Sequence, residues 1–166
     1  AQLTMVGGSI NGNLGSFAEE QTGRRMTCWK GGCPTHMGLT KEELAAAKAK
    51  YPGAPVLMHP ECRPEVRAMA DYVGSTTGII KYAEKSDASD FIIATEEGVL
   101  YELETRCPGK HFHLAARHLL CPNMKKTTLE KVRDALKTLE PRVVVPQDVR
   151  EKSVAALEKM LAITGK

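Results

Sequence analysis

Short apolar runs alternate along this chain with stretches whose apolar positions recur every three or four residues. The first kind reads as buried strands. Residues 25–29, 55–58, 72–73, 91–94, 111–115 and 143–145 are brief, mostly apolar and bounded by Gly, Pro or polar clusters. The second kind predicts helices over 14–21, 40–50, 64–70, about 78–84, 98–106, 127–139 and 149–163. Gly23 closes the first of these, since a residue without a β-carbon tolerates left-handed geometry. Thr40 with Glu43, and Thr127 with Glu130, have the spacing of a capping box, in which side chains satisfy orphan amides. Val154, Leu157 and Leu161 mark the apolar stripe of the last helix. Strand and helix in alternation predict an α/β chain, a three-layer α/β/α fold with short parallel sheets and right-handed connections. Ligands of such folds gather beyond the carboxyl ends of the strands. Cys33, His36, His59, Glu61, Ser75, Thr76, Thr95 and Glu96 all follow a predicted strand.

Composition narrows the function classes. A chain of 166 residues with 42% hydrophobic and 26% charged residues can bury one core or two small lobes. The net charge of +3 suits small anionic ligands. No basic block or aromatic-interleaved basic stripe occurs, so no nucleic-acid partner is expected. The apolar runs are too short to cross a membrane and the start lacks a signal-peptide plan, so the expected location is the cytoplasm. Five cysteines, an odd number, argue against a disulfide framework and leave free thiols or metal ligands. Cys28, in a predicted strand, and Cys107, near a helix end, read as packing thiols.

The remaining cysteines adjoin proline and polar groups. Cys33-Pro34 and Cys121-Pro122 stand far apart, and without a close Cys-x-x-Cys pair their spacing leaves two unrelated thiols and two metal ligands both open. His59-Pro60-Glu61 sets an imidazole and a carboxylate at one strand end, as a proton-transfer pair or a solvated turn. Gly74-Ser75-Thr76-Thr77 has the make-up of an anion cradle at a helix start, and equally of ordinary helix capping. His36 either orients a substrate or caps a helix. His111, His113 and His118 read as peripheral.

Asn13-Leu14-Gly15, Gly32-Cys33-Pro34-Thr35-His36, His59-Pro60-Glu61-Cys62, Asp71-Tyr72-Val73-Gly74-Ser75-Thr76, Ala94-Thr95-Glu96-Glu97-Gly98 and Cys121-Pro122-Asn123-Met124-Lys125 occur in that order. Together they closely resemble the C-terminal half of quinolinate synthases, from about Asn13 onward. The resemblance implies condensation of iminoaspartate with dihydroxyacetone phosphate to quinolinate, the pyridine precursor of NAD. It also implies a 4Fe-4S cluster on three cysteines, with one open iron acting as a Lewis acid. Cys33 and Cys121 match two of the three ligands, whereas Cys62 matches a position that does not ligate. His36 matches an active-site histidine. His59 and Glu61 match a substrate-handling pair, with Glu61 as general acid/base. Ser75 and Thr76 match hydroxyls that meet the anionic substrate, and Thr95, with Glu96, belongs to the cavity wall.

Departures from the family qualify this. Its members are about twice as long as this chain, with three similar α/β/α domains about a pseudo-threefold axis, each lending one cysteine, whereas a chain of this size spans one to two domains. Residues 1–36 then form a partial second repeat ending at a cluster cysteine, 37–120 a complete third domain, and 121–166 a segment expected to pack on the absent first domain. The third ligand is expected in the absent N-terminal half, so this polypeptide alone should have at most residual activity. Residues 1–12 fit the family poorly: Ser9-Ile10-Asn11-Gly12 stands where a Pro-Asp pair is expected. Other implied partners are an aspartate oxidase or dehydrogenase that supplies iminoaspartate, and a second copy joined through the face left uncovered. Alternatives from other classes are a non-catalytic metal- or anion-binding module and, last, a thiol redox protein, which the wide Cys28 to Cys33 spacing disfavours.

Overall fold

The computed structural model describes residues 3–4, 12–28 and 31–164. The expectations for Ser9, Ile10 and Asn11, and the end of the predicted 25–29 strand at Trp29, lie outside the described residues. The chain divides into two compact units, Ala1–Pro122 and Asn123–Lys166.

In the first unit, β1 (Leu3–Thr4) and β2 (Met26–Thr27) pair in parallel across α1 (Gly12–Thr22). Gly23 ends α1 at a φ of +65°, as the sequence predicts. α2 (Pro34–Gly38) and α3 (Lys41–Lys50) follow, and the Thr40 and Glu43 capping box is formed in both directions. The main sheet has four parallel strands, β3 (Val56–Met58), β4 (Tyr72–Val73), β5 (Asp90–Ala94) and β6 (His111–Leu114), in the order β4-β3-β5-β6. The crossovers run through α4 (Pro64–Arg67), α5 (Thr76–Lys85) and α6 (Val99–Arg106).

Both faces of this sheet are buried, which is why its strands read as unbroken apolar runs. Val56, Met58, Ile92 and Ala94 point to one face, against Leu44 of α3 and Val66 of α4. Leu57, Phe91 and Ile93 point to the other, against Ile79 and Ala83 of α5 and Leu103 of α6. The result is the expected three-layer α/β/α arrangement. From β3 the chain steps to β4 at one edge, then returns past β3 to β5 and β6. Strand order therefore reverses between β3 and β5, and a crevice opens at such a reversal, beyond the carboxyl ends of the two strands.

The second unit is helical, with a 3-10 turn at Met124–Lys126, α7 (Leu129–Thr138) and α8 (Gln147–Thr164). Two expectations are corrected here. The N-cap of α7 is Thr128, which accepts from the Lys131 amide, one residue later than predicted. Residues 143–145 form no strand: Pro141 and Pro146 flank them, this unit offers no sheet edge among its described residues, and Val143 and Val144 stay exposed. In the first unit, residues 68–69 form a turn after α4 and residue 70 lies beyond it, and α2, read from sequence as loop, is a short helix opened by Pro34.

Candidate active site

The two strands at the reversal deliver the chemistry. β3 ends at Met58 and presents His59, with Glu61 on the following turn; β5 ends at Ala94 and presents Thr95 and Glu96. The His59 amide donates to the Ala94 carbonyl at 3.2 Å, which ties the two exits together. Across the crevice stands α2. Its N-cap is Cys33, and its last turn carries His36, which is buried and reaches Thr95, with Nε2 3.0 Å from Oγ1.

A buried carboxylate lies between two imidazoles. Glu61 Oε2 is 3.3 Å from His36 Nδ1 and 3.7 Å from His59 Nδ1, and the two rings stack with centroids 4.6 Å apart. Burial, reinforced by the neighbouring His59, holds His36 down at about 4 against an opposing pull from Glu96. Burial also lowers His59. Near neutral pH both rings are uncharged. The His59 Nδ1 accepts the Glu61 amide at 3.3 Å, so its proton sits on Nε2. His36 Nδ1 is buried and makes no hydrogen bond: Glu61 Oε2 is near enough for attraction but misaligned for a bond.

The turn bearing Glu61 is clamped from behind. Asn13 Nδ2 donates to the Glu61 carbonyl at 3.0 Å. The buried Arg67 guanidinium donates to the carbonyls of Asn13, Pro60 and Cys62 at 2.9, 3.2 and 3.1 Å, and to Ser16 and Glu20 on α1. Sequence reasoning missed Arg67; its signal was a cation beside Val66 within an apolar helical run. Glu96 was placed in the cavity wall, but it also holds a loop. Its Oε2 accepts the Gly98 amide at 2.7 Å and its Oε1 the Cys121 amide at 3.2 Å. Thr95 thus engages His36 while its neighbour Glu96 engages Cys121, so Cys33 and Cys121 both belong to segments anchored at the end of β5.

Ser75 and Thr76 stand exposed where β4 gives way to α5, at the same end of the sheet. Ser75 Oγ accepts the Gly78 amide at 3.2 Å, so it caps α5. Cys62 is fully buried with its sulfur 3.7 Å from the Ala94 carbonyl, and burial pushes its thiol up to about 12. Cys28 packs against α1, where a β-carbon on Gly15 would collide with its sulfur. The thiols in the described part of the rim are therefore Cys33 and Cys121, both half-buried. Both side chains offer sulfur, the donor that an iron-sulfur site takes.

A family model described as quinolinate synthetase A protein matches residues 11–162. The chain belongs to this family. Quinolinate synthases of Desulforudis audaxviator and Geobacter metallireducens are each 47% identical to it over 151 residues, and that of Methanoregula boonei 46%. Each alignment covers 91% of this chain and 50% of the relative, so the chain spans about half the length of the curated quinolinate synthases it matches. No helix among the described residues is long and apolar enough to cross a membrane.

Proposed function

We propose that this chain carries one half of a quinolinate synthase site, which condenses iminoaspartate with dihydroxyacetone phosphate in de novo NAD biosynthesis. The observation that supports it most is the buried Glu61 carboxylate between two uncharged imidazoles at the strand-order reversal. A carboxylate so enclosed exchanges protons with a bound substrate in a site from which bulk water is largely excluded. Glu61 is the general acid/base for tautomerisation and dehydration. His59 and His36 hydrogen-bond the substrate without adding charge, and Thr95 fixes the His36 ring. Ser75 and Thr76, at the amino end of α5, meet the anionic groups, where the helix dipole and an exposed hydroxyl favour negative charge. A 4Fe-4S cluster held by Cys33, Cys121 and a third cysteine from outside this chain would supply Lewis acidity for the loss of water. An aspartate oxidase or dehydrogenase supplies iminoaspartate, in the cytoplasm.

The test is anaerobic turnover with iminoaspartate and dihydroxyacetone phosphate, read as quinolinate by chromatography. This chain is combined with the complementary N-terminal half of the Desulforudis audaxviator relative. Quinolinate is expected from the combination, and Glu61→Gln should lower its rate by about a hundredfold or more. A rate unchanged by Glu61→Gln, with the combined halves active, would remove Glu61 from the mechanism.

A further inference from the structure

His118, peripheral on the sequence alone, stands between the two segments that carry Cys33 and Cys121. It lies beyond the end of β6, three residues before Cys121. Its imidazole rests on the last residue of α2: a β-carbon on Gly38 would stand 3.2 Å from Nε2 and 3.4 Å from Cδ2, so tight that the ring would have to give way. At its other end, Nδ1 is 3.3 Å from Oε1 of Glu43. The second oxygen of that carboxylate is engaged in the cap of α3, accepting the Thr40 amide at 3.0 Å and the Thr40 hydroxyl at 3.1 Å. Glu43 is thereby fixed on its own helix, and it offers His118 a stationary anion that favours a proton on Nδ1. The loop bearing His118 is also tied to the end of β5, through the Glu97 amide on the Leu119 carbonyl at 2.8 Å and the Cys121 amide on Glu96 at 3.2 Å. Leu39 and Leu119, the neighbours of Gly38 and His118, are fully buried in one cluster. Apolar burial sets the depth of the two segments but not their sliding, because it has no direction. An imidazole held between a carboxylate and a backbone does have one.

We propose that His118 is a positioning residue: clasped between Gly38 and Glu43, it holds the Cys121 loop against the end of α2 and so sets the separation of the Cys33 and Cys121 thiols. The pair with Glu43 is half exposed, with side chains 45% and 38% accessible, so it adds little to stability and its worth lies in placement. The use of that placement rests on the reading that both thiols serve one iron site, whose ligands must be held to about 0.5 Å. The clasp itself belongs to the metal-free chain, and Cys33 and Cys121 lie in the same compact unit, so it is open to measurement without any cluster.

The experiment treats the reduced, metal-free chain with dibromobimane, which becomes fluorescent when both of its ends have alkylated thiols, and maps the product by mass spectrometry. Wild type should be bridged from Cys33 to Cys121. His118→Ala should slow that bridging about tenfold or more, while alkylation of each thiol singly by monobromobimane stays within about twofold, because only the second, intramolecular step depends on how the two sulfurs are placed. His118→Asn, whose side-chain N–H takes the place of Nδ1–H, should keep the wild-type rate. Thr40→Ala, which weakens the same helix cap and leaves His118 in place, should not slow bridging. Bridging as fast in His118→Ala as in wild type, or slowed equally by Thr40→Ala, would overturn the inference and leave the shared iron site standing. Absence of a Cys33 to Cys121 bridge in wild type would remove the shared site, and the inference with it.

Discussion

Arg67→Met is the sharpest test of how the site is held. The substitution keeps much of the aliphatic volume and removes every donor. Arg67 is 6% exposed and serves three carbonyls, on Asn13, Pro60 and Cys62, with one Glu20 ion pair whose acid is 54% exposed. The exposed pair contributes no more than about 1 kcal/mol. The carbonyls matter more, because each loses its charged donor in a buried setting, at about 1–3 kcal/mol apiece. Water entering beside α1 offsets part of that, leaving a net loss of about 3–5 kcal/mol. For a unit of this size the midpoint of thermal unfolding should fall by about 10–20 °C. Urea denaturation of wild type, Arg67→Met and Glu20→Ala measures this directly, with the midpoint moving at constant slope. Glu20→Ala should lose about 1 kcal/mol or less. A loss for Arg67→Met no larger than that for Glu20→Ala would refute the clamp, and with it the claim that α1 and α4 together fix the Glu61 turn.

Glu96→Ala frees the Cys121 amide from a charged acceptor worth about 1.5–3 kcal/mol, so hydrogen exchange at Cys121 should quicken about ten- to a hundredfold; unchanged exchange would exclude Glu96 as the anchor of that loop. At pH 8 a soluble alkylating reagent should label Cys33 and Cys121 in the native chain and spare Cys62, and equal labelling of all three would contradict the buried thiol. The folded-state value of Cys62, about 12, lies above the 9.0 of the unfolded chain, so the folded state holds this proton more tightly. Its contribution to stability is complete below pH 9 and declines as pH rises from there toward 12, which Cys62→Ala should abolish in urea midpoints compared at pH 8 and pH 10. Ser75→Ala should cost about 1 kcal/mol through loss of the α5 cap, and no loss would mean that its hydroxyl is not needed for capping.

Much of this architecture is legible in the sequence because the sheet is buried on both faces. Strands such as 55–58 and 91–94 then stand out as unbroken apolar runs, and capping signals at Gly23 and Thr40 set helix ends through local chemistry alone. That His36, His59, Glu61 and Thr95 come together was legible for the same reason, since they follow strands whose ends were already marked. Strand order was not, because the reversal between β3 and β5 depends on which apolar faces meet in three dimensions. Arg67 escaped notice because its worth lies in carbonyls from three separated segments, which no spacing along the chain reveals. The 143–145 run misled in the opposite way. Its valines have strand propensity, but propensity without a neighbouring edge forms no ladder.

The central claim is that Cys33 and Cys121 serve one iron site beside Glu61. Anaerobic reconstitution with iron and sulfide, with the complementary half of a relative present, tests it most directly through bound iron and the visible charge-transfer absorption of the cluster. The wild-type pair should take up a 4Fe-4S cluster, and Cys33→Ser and Cys121→Ser should each lose it. Iron content and absorption unchanged in both variants would contradict the account.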